Sequence, residues 1–202
     1  MLPQTLLEMA GVTPKPSALS ESAILVVDAQ EEYRSGKLPL EGIDAAVEAI
    51  GDLLTRARGL GVPVHHIVHE GRPGGLFDPA SPEGAPIADI GPRIGESVTR
   101  KTLPNSFAGT NLADILAEHG RKKLIIVGFM NHMCVDATTR AASEQGFMVT
   151  IPADCTATRD LASPVSGDVL TAKIVKEASL AGLADRFATV VPTIADIPDK
   201  AE

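Results

Sequence analysis

Apolar residues along the chain alternate between short continuous runs and longer stretches with a helical period. Residues 22–28 read SAILVVD, a run that is too short for a buried helix and therefore predicts a central strand. Between residues 42 and 59 the apolar positions recur with the period of a helix that ends at glycine. The same reasoning predicts strands at 62–69, 97–101, 123–129, 147–154 and 188–191, and helices at 111–118, 133–145 and 165–184.

This alternation of strands and helices predicts an α/β fold. We expect a Rossmann-like three-layer sandwich, with a central, mostly parallel six-stranded sheet and helices on both faces. Residues 1–202 are predicted to form a single domain, in which residues 1–20 are an irregular N-terminal arm with a short helix at 4–10. Only 3% of the residues are aromatic, which suits an aliphatic core around a buried parallel sheet.

Charge and cysteine content narrow the classes of partner and compartment. The net charge is -8 and no basic stripe is present, so we expect no binding of nucleic acid. No apolar run reaches membrane-spanning length and no secretory signal is evident, so we expect a cytoplasmic protein without a membrane partner. The two cysteines, Cys134 and Cys155, are expected to be free thiols, with Cys155 in a structural role.

Three residues with chemical potential follow or end predicted strands. Asp28 ends the first strand, Lys101 ends the third, and Cys134 follows the fourth in the first turn of a helix. Each alone has an ordinary explanation, as a turn carboxylate, a solvated lysine or a buried small hydrophobe. Together they should meet at the carboxyl edge of the sheet. There the helix dipole and the lysine would lower the pKa of the thiol, and the carboxylate could take its proton.

Three segments resemble the signatures of the isochorismatase-like cysteine hydrolase superfamily. They read ILVVDAQEEY, RKTLPNSFAGTNLADIL and LIIVGFMNHMCVDATTRAASEQGFMVTIPADCTAT, and they occur in the order and spacing of that family. The resemblance extends from about residue 23 to residue 191. It implies the isochorismatase-like fold, no cofactor and a homodimer or homotetramer.

The resemblance also implies a role for each matching residue. Asp28 would be the general base, Lys101 the cation that stabilises the thiolate, and Cys134 the nucleophile. Such enzymes attack a carbonyl carbon, release ammonia, an amine or a carbamate, and then hydrolyse the thioester. A cis peptide bond would join Phe129 and Met130, so that the backbone N–H groups of Met130 and Cys134 form an oxyanion hole.

One departure from the family argues against a metal. The nicotinamidase branch carries an Asp-x-His-Pro metal motif, whereas this chain has Glu70 and Arg72 at the first and third positions, and arginine does not ligate metals. We therefore expect no metal and no nicotinamidase activity. On the preceding strand His65 and His69 share a face and His66 points the other way, which leaves a metal pair or strand-end hydrogen bonding open. His69 lies nearest the rim and could bind substrate.

Four further residues are candidates for substrate contact. Tyr33 occupies the place where relatives have a pocket aromatic residue. Phe107 could form an apolar wall with Phe77, although core burial and packing of the long 70–95 loop explain these two equally well. Asn131 could frame the site, and His132 could contact substrate or lie on the surface.

The leading functional hypothesis is a cysteine hydrolase that cleaves the C–N bond of a small amide, ureido or carbamoyl compound through an acyl-enzyme on Cys134. A first alternative is an isochorismatase-type vinyl ether hydrolase, which is able to work without the cysteine. A second is a non-catalytic binding protein on the same fold. A redox pair of Cys134 and Cys155 is a further option that requires Cα atoms within about 7 Å.

Overall fold

A computed structural model describes residues 3–201. Its strands are β1 Ser22–Val27, β2 Val64–His69, β3 Ser97–Lys101, β4 Lys123–Phe129, β5 Met148–Pro152, β6 Thr156–Ala157, β7 Leu161–Ala162, β8 Val169–Leu170 and β9 Ala188–Val191. Its α-helices are α1 Leu6–Met9, α2 Ile43–Gly59, α3 Leu112–Glu118, α4 Asp136–Glu144 and α5 Ala172–Arg186. In the described part of the chain, no helix has the length and apolar character needed to span a bilayer.

The central sheet is parallel throughout, with the strand order β3-β2-β1-β4-β5-β9. This confirms the predicted α/β fold, and the two-residue strand β6 adds a seventh member beside the end of β4. Since β1 lies next to β4 while β2 and β3 extend to the other side, the chain reverses its direction of winding at β1. Ligands in open α/β sheets bind at the carboxyl ends of strands next to such a reversal.

Two apolar cores cover the two faces of the sheet, because successive side chains of a strand point in opposite directions. Ile24 and Val26 of β1 pack in a cluster with helix α2. Leu25 and Val27 pack in a second cluster with residues of α3, α4 and α5. All six residues of β1 are buried, which explains why this strand reads as a continuous apolar run.

The prediction of one helix over residues 165–184 is wrong in its first part. Strands β7 and β8 form an antiparallel hairpin over residues 161–170, and α5 begins only at Ala172. Gly167 turns the hairpin with a φ of 80°, a conformation that glycine adopts without steric cost. Thr171 then caps α5 by accepting a hydrogen bond from the Ile174 N–H at 3.4 Å. Val165 is exposed at the hairpin, so its place in the helical period was accidental.

The predicted helix over residues 133–145 also divides into two parts. Residues Asn131–Val135 form a wider π-helical turn, called the π-turn below, and α4 follows from Asp136. Single π-helical turns are frequently found at functional sites. The π-turn contains Cys134.

A cavity of about 980 Å³ lies beneath the N-terminal arm, and Pro14 is one of its lining residues. Other parts of its wall come from Lys123, Met148 and Ala188, which are the first residues of β4, β5 and β9. The cavity therefore lies at the amino ends of the strands. None of the residues predicted to contact substrate lines this cavity, since the predicted rim is at the opposite edge of the sheet.

Candidate active site

Asp28 and Lys101 form a buried ion pair at the carboxyl edge of the sheet. Asp28 directly follows β1 with a φ of 48°, which aspartate tolerates better than most residues, and its N–H bonds to the Ile67 carbonyl at 3.0 Å. Lys101 ends β3, and its Nζ donates to Asp28 Oδ2 at 2.6 Å. Both side chains are fully buried. Because each charge neutralises the other, the pair can persist out of contact with water.

Cys134 lies beside this pair. It is the fourth residue of the π-turn Asn131–Val135 and is buried. A carboxylate oxygen of Asp28, a ring nitrogen of His69 and Sγ of Cys134 all lie within 4.8 Å of one another. Among the atoms of residues 3–201, Asp28 Oδ1 has no hydrogen-bond partner of the N–H or O–H type. The structure therefore brings together the three residues that the sequence predicts, with one carboxylate oxygen free to receive the thiol proton.

The expected lowering of the thiol pKa is wrong. Burial, and next the negative charge of Asp28, raise the pKa of Cys134 to about 12, and the ammonium of Lys101 opposes this only in part. The thiol is therefore neutral at physiological pH. Burial also raises the pKa of Asp28, against the effect of Lys101. A carboxylate with a raised pKa is a stronger base, which suits it to accept the proton of a weakly acidic thiol.

The end of β4 shapes the backbone around the nucleophile. Gly128 has a φ of 113°, and a Cβ at this position would lie 2.0 Å from the Val27 carbonyl oxygen, so only glycine fits. The peptide bond between Phe129 and Met130 is cis. The role of the Met130 and Cys134 N–H groups as an oxyanion hole stays a prediction.

Tyr33 borders the site from the core. Its ring packs edge-on against Phe77 and Phe129, with centroid distances of 5.1 and 6.0 Å. Burial raises the pKa of Tyr33, and the charges of Asp28 and Cys134 raise it further, which places the hydroxyl group within the field of the catalytic candidates. Direct contact of Tyr33 with a substrate stays a prediction. Phe77 packs the long loop onto the core, as one of the two alternatives proposed.

Two other predicted contact residues make contacts in the helical layer. The Phe107 ring stacks on Phe147, with centroids 6.2 Å apart, and Phe147 follows the far end of α4. These contacts support core burial for Phe107 rather than a wall of the pocket. Asn131 is fully buried, and its Nδ2 donates to the Lys176 carbonyl at 3.2 Å. Asn131 therefore fastens the π-turn to α5.

His69 and His132 lie on two sides of the site. His69 Nδ1 lies 3.3 Å from Lys101 Nζ, and its ring packs edge-on against Phe77. Burial and the Lys101 ammonium lower the pKa of His69 to about 4, so the ring is neutral and accepts a hydrogen bond from the ammonium. His132 Nδ1 lies 2.5 Å from Thr158 Oγ1, and burial lowers the pKa of His132 too.

The other two histidines of β2 take part in hydrogen bonds at the sheet edge. The ring nitrogens of His65 bond to the hydroxyl groups of Ser97 and Thr99, the second at 2.9 Å. His66 Nε2 lies 3.0 Å from Glu96 Oε2 on the opposite face. Because both ring nitrogens of His65 are engaged by hydroxyl groups, the structure supports strand-end hydrogen bonding for this residue.

Only one group of potential metal ligands among residues 3–201 converges closely, and it consists of Asp28, His69 and Cys134. A divalent ion bound there would lie beside the ammonium of Lys101, which holds the same carboxylate at 2.6 Å. Like charges at such a distance repel strongly in a buried site. The arrangement therefore suits proton transfer better than metal binding.

Sequence reasoning missed two residues of this rim. Gln30 is fully buried, and its side chain accepts from the His69 N–H at 2.8 Å and donates to the carbonyls of His69 and Gly84. It thereby ties the end of β2 to the long loop. The glutamine belongs to the recognised first segment, so its position was a usable signal. Arg159 follows β6 at the same rim, and its place after a predicted strand end was the signal for it.

The comparisons with known proteins support the fold described above. Residues 22–195 match the family model of the isochorismatase domain. The crystal structure of an isochorismatase from Pseudomonas putida KT2440 superposes with a TM-score of 0.92 and 41% identity, covering 96% of this chain and 99% of that one. This similarity extends over nearly the whole chain.

Two curated relatives are similarly close. The secreted isochorismatase effector Isc1 of Verticillium dahliae is 38% identical over 187 residues, which are 91% of this chain and 94% of that protein. A streptothricin hydrolase of Streptomyces noursei is 35% identical over 193 residues, which are 94% of this chain and 76% of that protein. The chain therefore belongs to the isochorismatase family of hydrolases.

Proposed function

We propose that the protein is a cysteine hydrolase that cleaves the C–N bond of a small amide, ureido or carbamoyl compound through an acyl-enzyme on Cys134. One observation carries this proposal. The buried Asp28 carboxylate holds Lys101 Nζ at 2.6 Å with Oδ2 and leaves Oδ1 unpaired among the described residues, next to the sulfur of Cys134. A proton acceptor, a nucleophile and a cation thus meet at one point, as nucleophilic catalysis by a thiol requires.

In the first half of the reaction, Asp28 takes the thiol proton while the Cys134 sulfur attacks the carbonyl carbon. The new S–C bond converts the carbonyl oxygen to an oxyanion, for which the N–H groups of Met130 and Cys134 are the proposed donors. The adduct then collapses and the C–N bond breaks. The departing nitrogen receives the proton from Asp28, so the products are ammonia or an amine and a thioester on Cys134.

In the second half, Asp28 takes a proton from water, whose oxygen attacks the thioester carbonyl. Collapse of this second adduct breaks the S–C bond, and the proton returns to the sulfur. The ammonium of Lys101 stabilises the negative charge that passes between Asp28 and Cys134. The raised thiol pKa agrees with this scheme, because the thiolate then forms only together with bond formation to the substrate.

A vinyl ether hydrolase is the second candidate, because the Pseudomonas putida structure and the Verticillium dahliae relative both carry isochorismatase in their names. Such a reaction forms no thioester. It would leave Cys134 without a covalent role and would release pyruvate from isochorismate.

A substrate panel decides between these proposals. The purified protein is incubated with primary amides, ureido and carbamoyl compounds and isochorismate, while release of ammonia, amine and pyruvate is measured. Intact-protein mass spectrometry after rapid acid quench then tests for an acyl group on Cys134. We expect ammonia or amine release together with the acyl mass. Pyruvate release without an acyl mass would favour the second candidate, and no turnover with an unreactive thiol would indicate a binding protein.

Assembly and compartment complete the proposal. We propose a homodimer or homotetramer that acts on a small molecule in the cytoplasm, and sedimentation of the purified protein tests the assembly. The expected cytoplasmic location stays a prediction, and one similar protein is named as secreted.

A further inference from the structure

Arg159 is held at the rim of the sheet next to the π-turn. Strand β6 pairs with the end of β4, with Ala157 beside Phe129, so Thr158 and Arg159 continue past the position where β4 gives way to the π-turn. Two contacts fix this segment. Thr158 Oγ1 lies 2.5 Å from His132 Nδ1, and the Thr158 carbonyl accepts from the Glu41 N–H at 3.0 Å. The Arg159 backbone is therefore well positioned beside the nucleophile's own turn.

The guanidinium of Arg159 lacks a counter-charge within the part of the chain that the structure describes. It takes part in none of the ion pairs found there, and its one hydrogen bond is from Nη1 to the neighbouring Asp160 carbonyl at 3.2 Å. Its Nε is buried and has no partner among residues 3–201. Removing an arginine N–H from water without an acceptor is costly, so an acceptor from outside the chain is expected.

A second unpaired group lies beside it. His132 Nε2 is also buried without a partner among the described residues, while its Nδ1 faces the Thr158 hydroxyl. When Thr158 donates to Nδ1, Nε2 carries the proton and can itself donate. Two donors that lack acceptors thus occupy one corner of the rim. The acidic side chain nearest to them in sequence, Asp160, has Oδ1 engaged by the Ala172 N–H at 2.7 Å.

Charge effects connect this corner to the catalytic candidates. The positive charge of Arg159 lowers the pKa of both Tyr33 and His132, whereas the charges of Asp28 and Cys134 raise that of Tyr33. Asp136 acts on His132 in the opposite sense, but it is engaged with Arg140. The charges of the Asp28–Cys134 pair and of Arg159 thus both act on Tyr33, and strand β6 places Arg159 two residues beyond Ala157, the partner of Phe129 next to the turn of Cys134.

We propose that Arg159, assisted by His132, binds an anionic group of the substrate, so that the substrate is a small amide, ureido or carbamoyl compound that also carries a carboxylate. The planar guanidinium matches a carboxylate in shape and charge. The acid group would dock at Arg159 while the scissile carbonyl lies at Cys134. This proposal rests on the proposed function for the reaction, but the anion site itself is testable without any turnover.

Alkylation of Cys134 by a matched pair of reagents provides that test. Iodoacetate and iodoacetamide deliver the same electrophilic carbon, but only iodoacetate carries a carboxylate. The ratio of their rates at Cys134, read by peptide mass spectrometry at one fixed pH, reports attraction of the anion. We expect the ratio to fall about tenfold in Arg159→Gln, the order of a charge-assisted hydrogen bond, with the iodoacetamide rate unchanged. Arg159→Lys should retain part of the preference.

Arg93→Gln is the matched control, because it removes an exposed arginine that precedes β3, at the opposite end of that strand from Lys101. Its rate ratio should equal that of the wild type. An equal ratio in Arg159→Gln and the wild type would overturn the proposal. So would sedimentation showing that Arg159→Gln disrupts an oligomer, since the guanidinium would then serve a subunit contact.

Failure of this proposal is distinguishable from failure of the proposed function. A reactive Cys134 without anion preference rejects the Arg159 site and retains the hydrolase. If neither reagent labels Cys134, calorimetry with succinamate and its uncharged methyl ester is performed on the Cys134→Ala protein. Binding of succinamate that weakens about tenfold when Arg159→Gln is added supports the anion site, and equal binding of both compounds rejects it.

Discussion

Two groups in this protein contain the same three residue types, an aspartate, a lysine and a cysteine, near the carboxyl ends of strands. The first consists of Asp28, Lys101 and Cys134, and the second of Asp154, Lys176 and Cys155. In the first, the ammonium binds the carboxylate at 2.6 Å. In the second, Lys176 donates to the Thr156 carbonyl at 2.6 Å, and Asp154 accepts from the Ile194 N–H at 3.0 Å.

The difference lies in what each lysine neutralises. Asp28 and Asp154 each have one oxygen without a partner among residues 3–201, but only the carboxylate of Asp28 is bound by its lysine. Lys176 instead donates a hydrogen bond to a backbone carbonyl, and burial lowers the pKa of this lysine. Cys155 is fully buried, and burial together with the charge of Asp154 raises its pKa. We therefore expect the partner of the cation, and not the residue types alone, to determine which sulfur reacts.

The largest expected contrast is between the two cysteines. Cys134→Ala should lower kcat/KM on the best substrate of the panel by more than about 10³-fold, because no nucleophile remains. Cys155→Ala should keep kcat/KM within about threefold and cost about 1–2 kcal/mol of unfolding free energy for a small buried side chain. Steady-state kinetics and urea unfolding measure both. Comparable loss of activity in the two variants would show that the second group contributes to catalysis.

The two lysines should differ next in stability. Lys101→Met leaves the Asp28 carboxylate buried without its counter-charge, which should cost about 3–5 kcal/mol of unfolding free energy and most of the activity. Lys176→Met removes one hydrogen bond to a carbonyl and should cost about 1 kcal/mol.

Urea unfolding of a double variant provides the control for this second contrast. Asp28→Asn combined with Lys101→Met removes both charges, so stability should recover while activity stays absent. A double variant as unstable as Lys101→Met alone would mean that the cost comes from packing and not from an unpaired charge.

The pH dependence of alkylation should separate the sulfurs in native protein. With a pKa of about 12, Cys134 is a thiolate in only about one molecule in 10³ at pH 9. Its rate with iodoacetamide should therefore rise about tenfold per pH unit from pH 7 to 10, without a plateau. Cys155 should stay unmodified until urea unfolds the chain. A plateau below pH 8, measured by peptide mass spectrometry, would mean that the thiolate is the resting form.

The smallest expected effect concerns the second contact of Lys101. His69→Gln removes a neutral acceptor 3.3 Å from the ammonium, and kcat/KM should fall about three- to tenfold. The pKa of His69 is lowered to about 4, so the ring changes charge only as the pH falls towards that value. The variant and the wild type should therefore show profiles of the same shape between pH 6 and 8. A new inflection in that range would assign a proton-transfer role to His69.

The sequence predicts the sheet and the meeting of Asp28, Lys101 and Cys134 well, because buried parallel strands read as continuous apolar runs and their ends share one edge. It predicts the hairpin at 161–170 poorly, since two apolar positions in a turn imitate a helical period. The raised thiol pKa also could not be read from the sequence. The sequence shows a helix start and a lysine, both of which lower the pKa of a thiol. Burial outweighs them here, and the depth of burial is known only from the packed structure.

Arg159 is a second residue that the sequence locates but whose environment only the folded structure reveals. Its position after a strand end is visible in the sequence, yet its lack of a counter-charge among residues 3–201 depends on which acidic side chains the fold brings near. Phe107 is the converse case. The sequence left both an apolar pocket wall and core burial open for this residue, and its stacking on Phe147 favours core burial.

Gly128 allows the strand ends that carry Asp28 and Cys134 to lie close together. It pairs in register with Val27, the residue before Asp28, and the backbones approach so closely there that a methyl group would collide with the Val27 carbonyl. Any larger residue at this position would force β1 and β4 apart at their carboxyl ends. Asp28 follows one of these strands and the turn with Cys134 follows the other, so the absence of a side chain at Gly128 lets a carboxylate oxygen and the sulfur lie within 4.8 Å of each other.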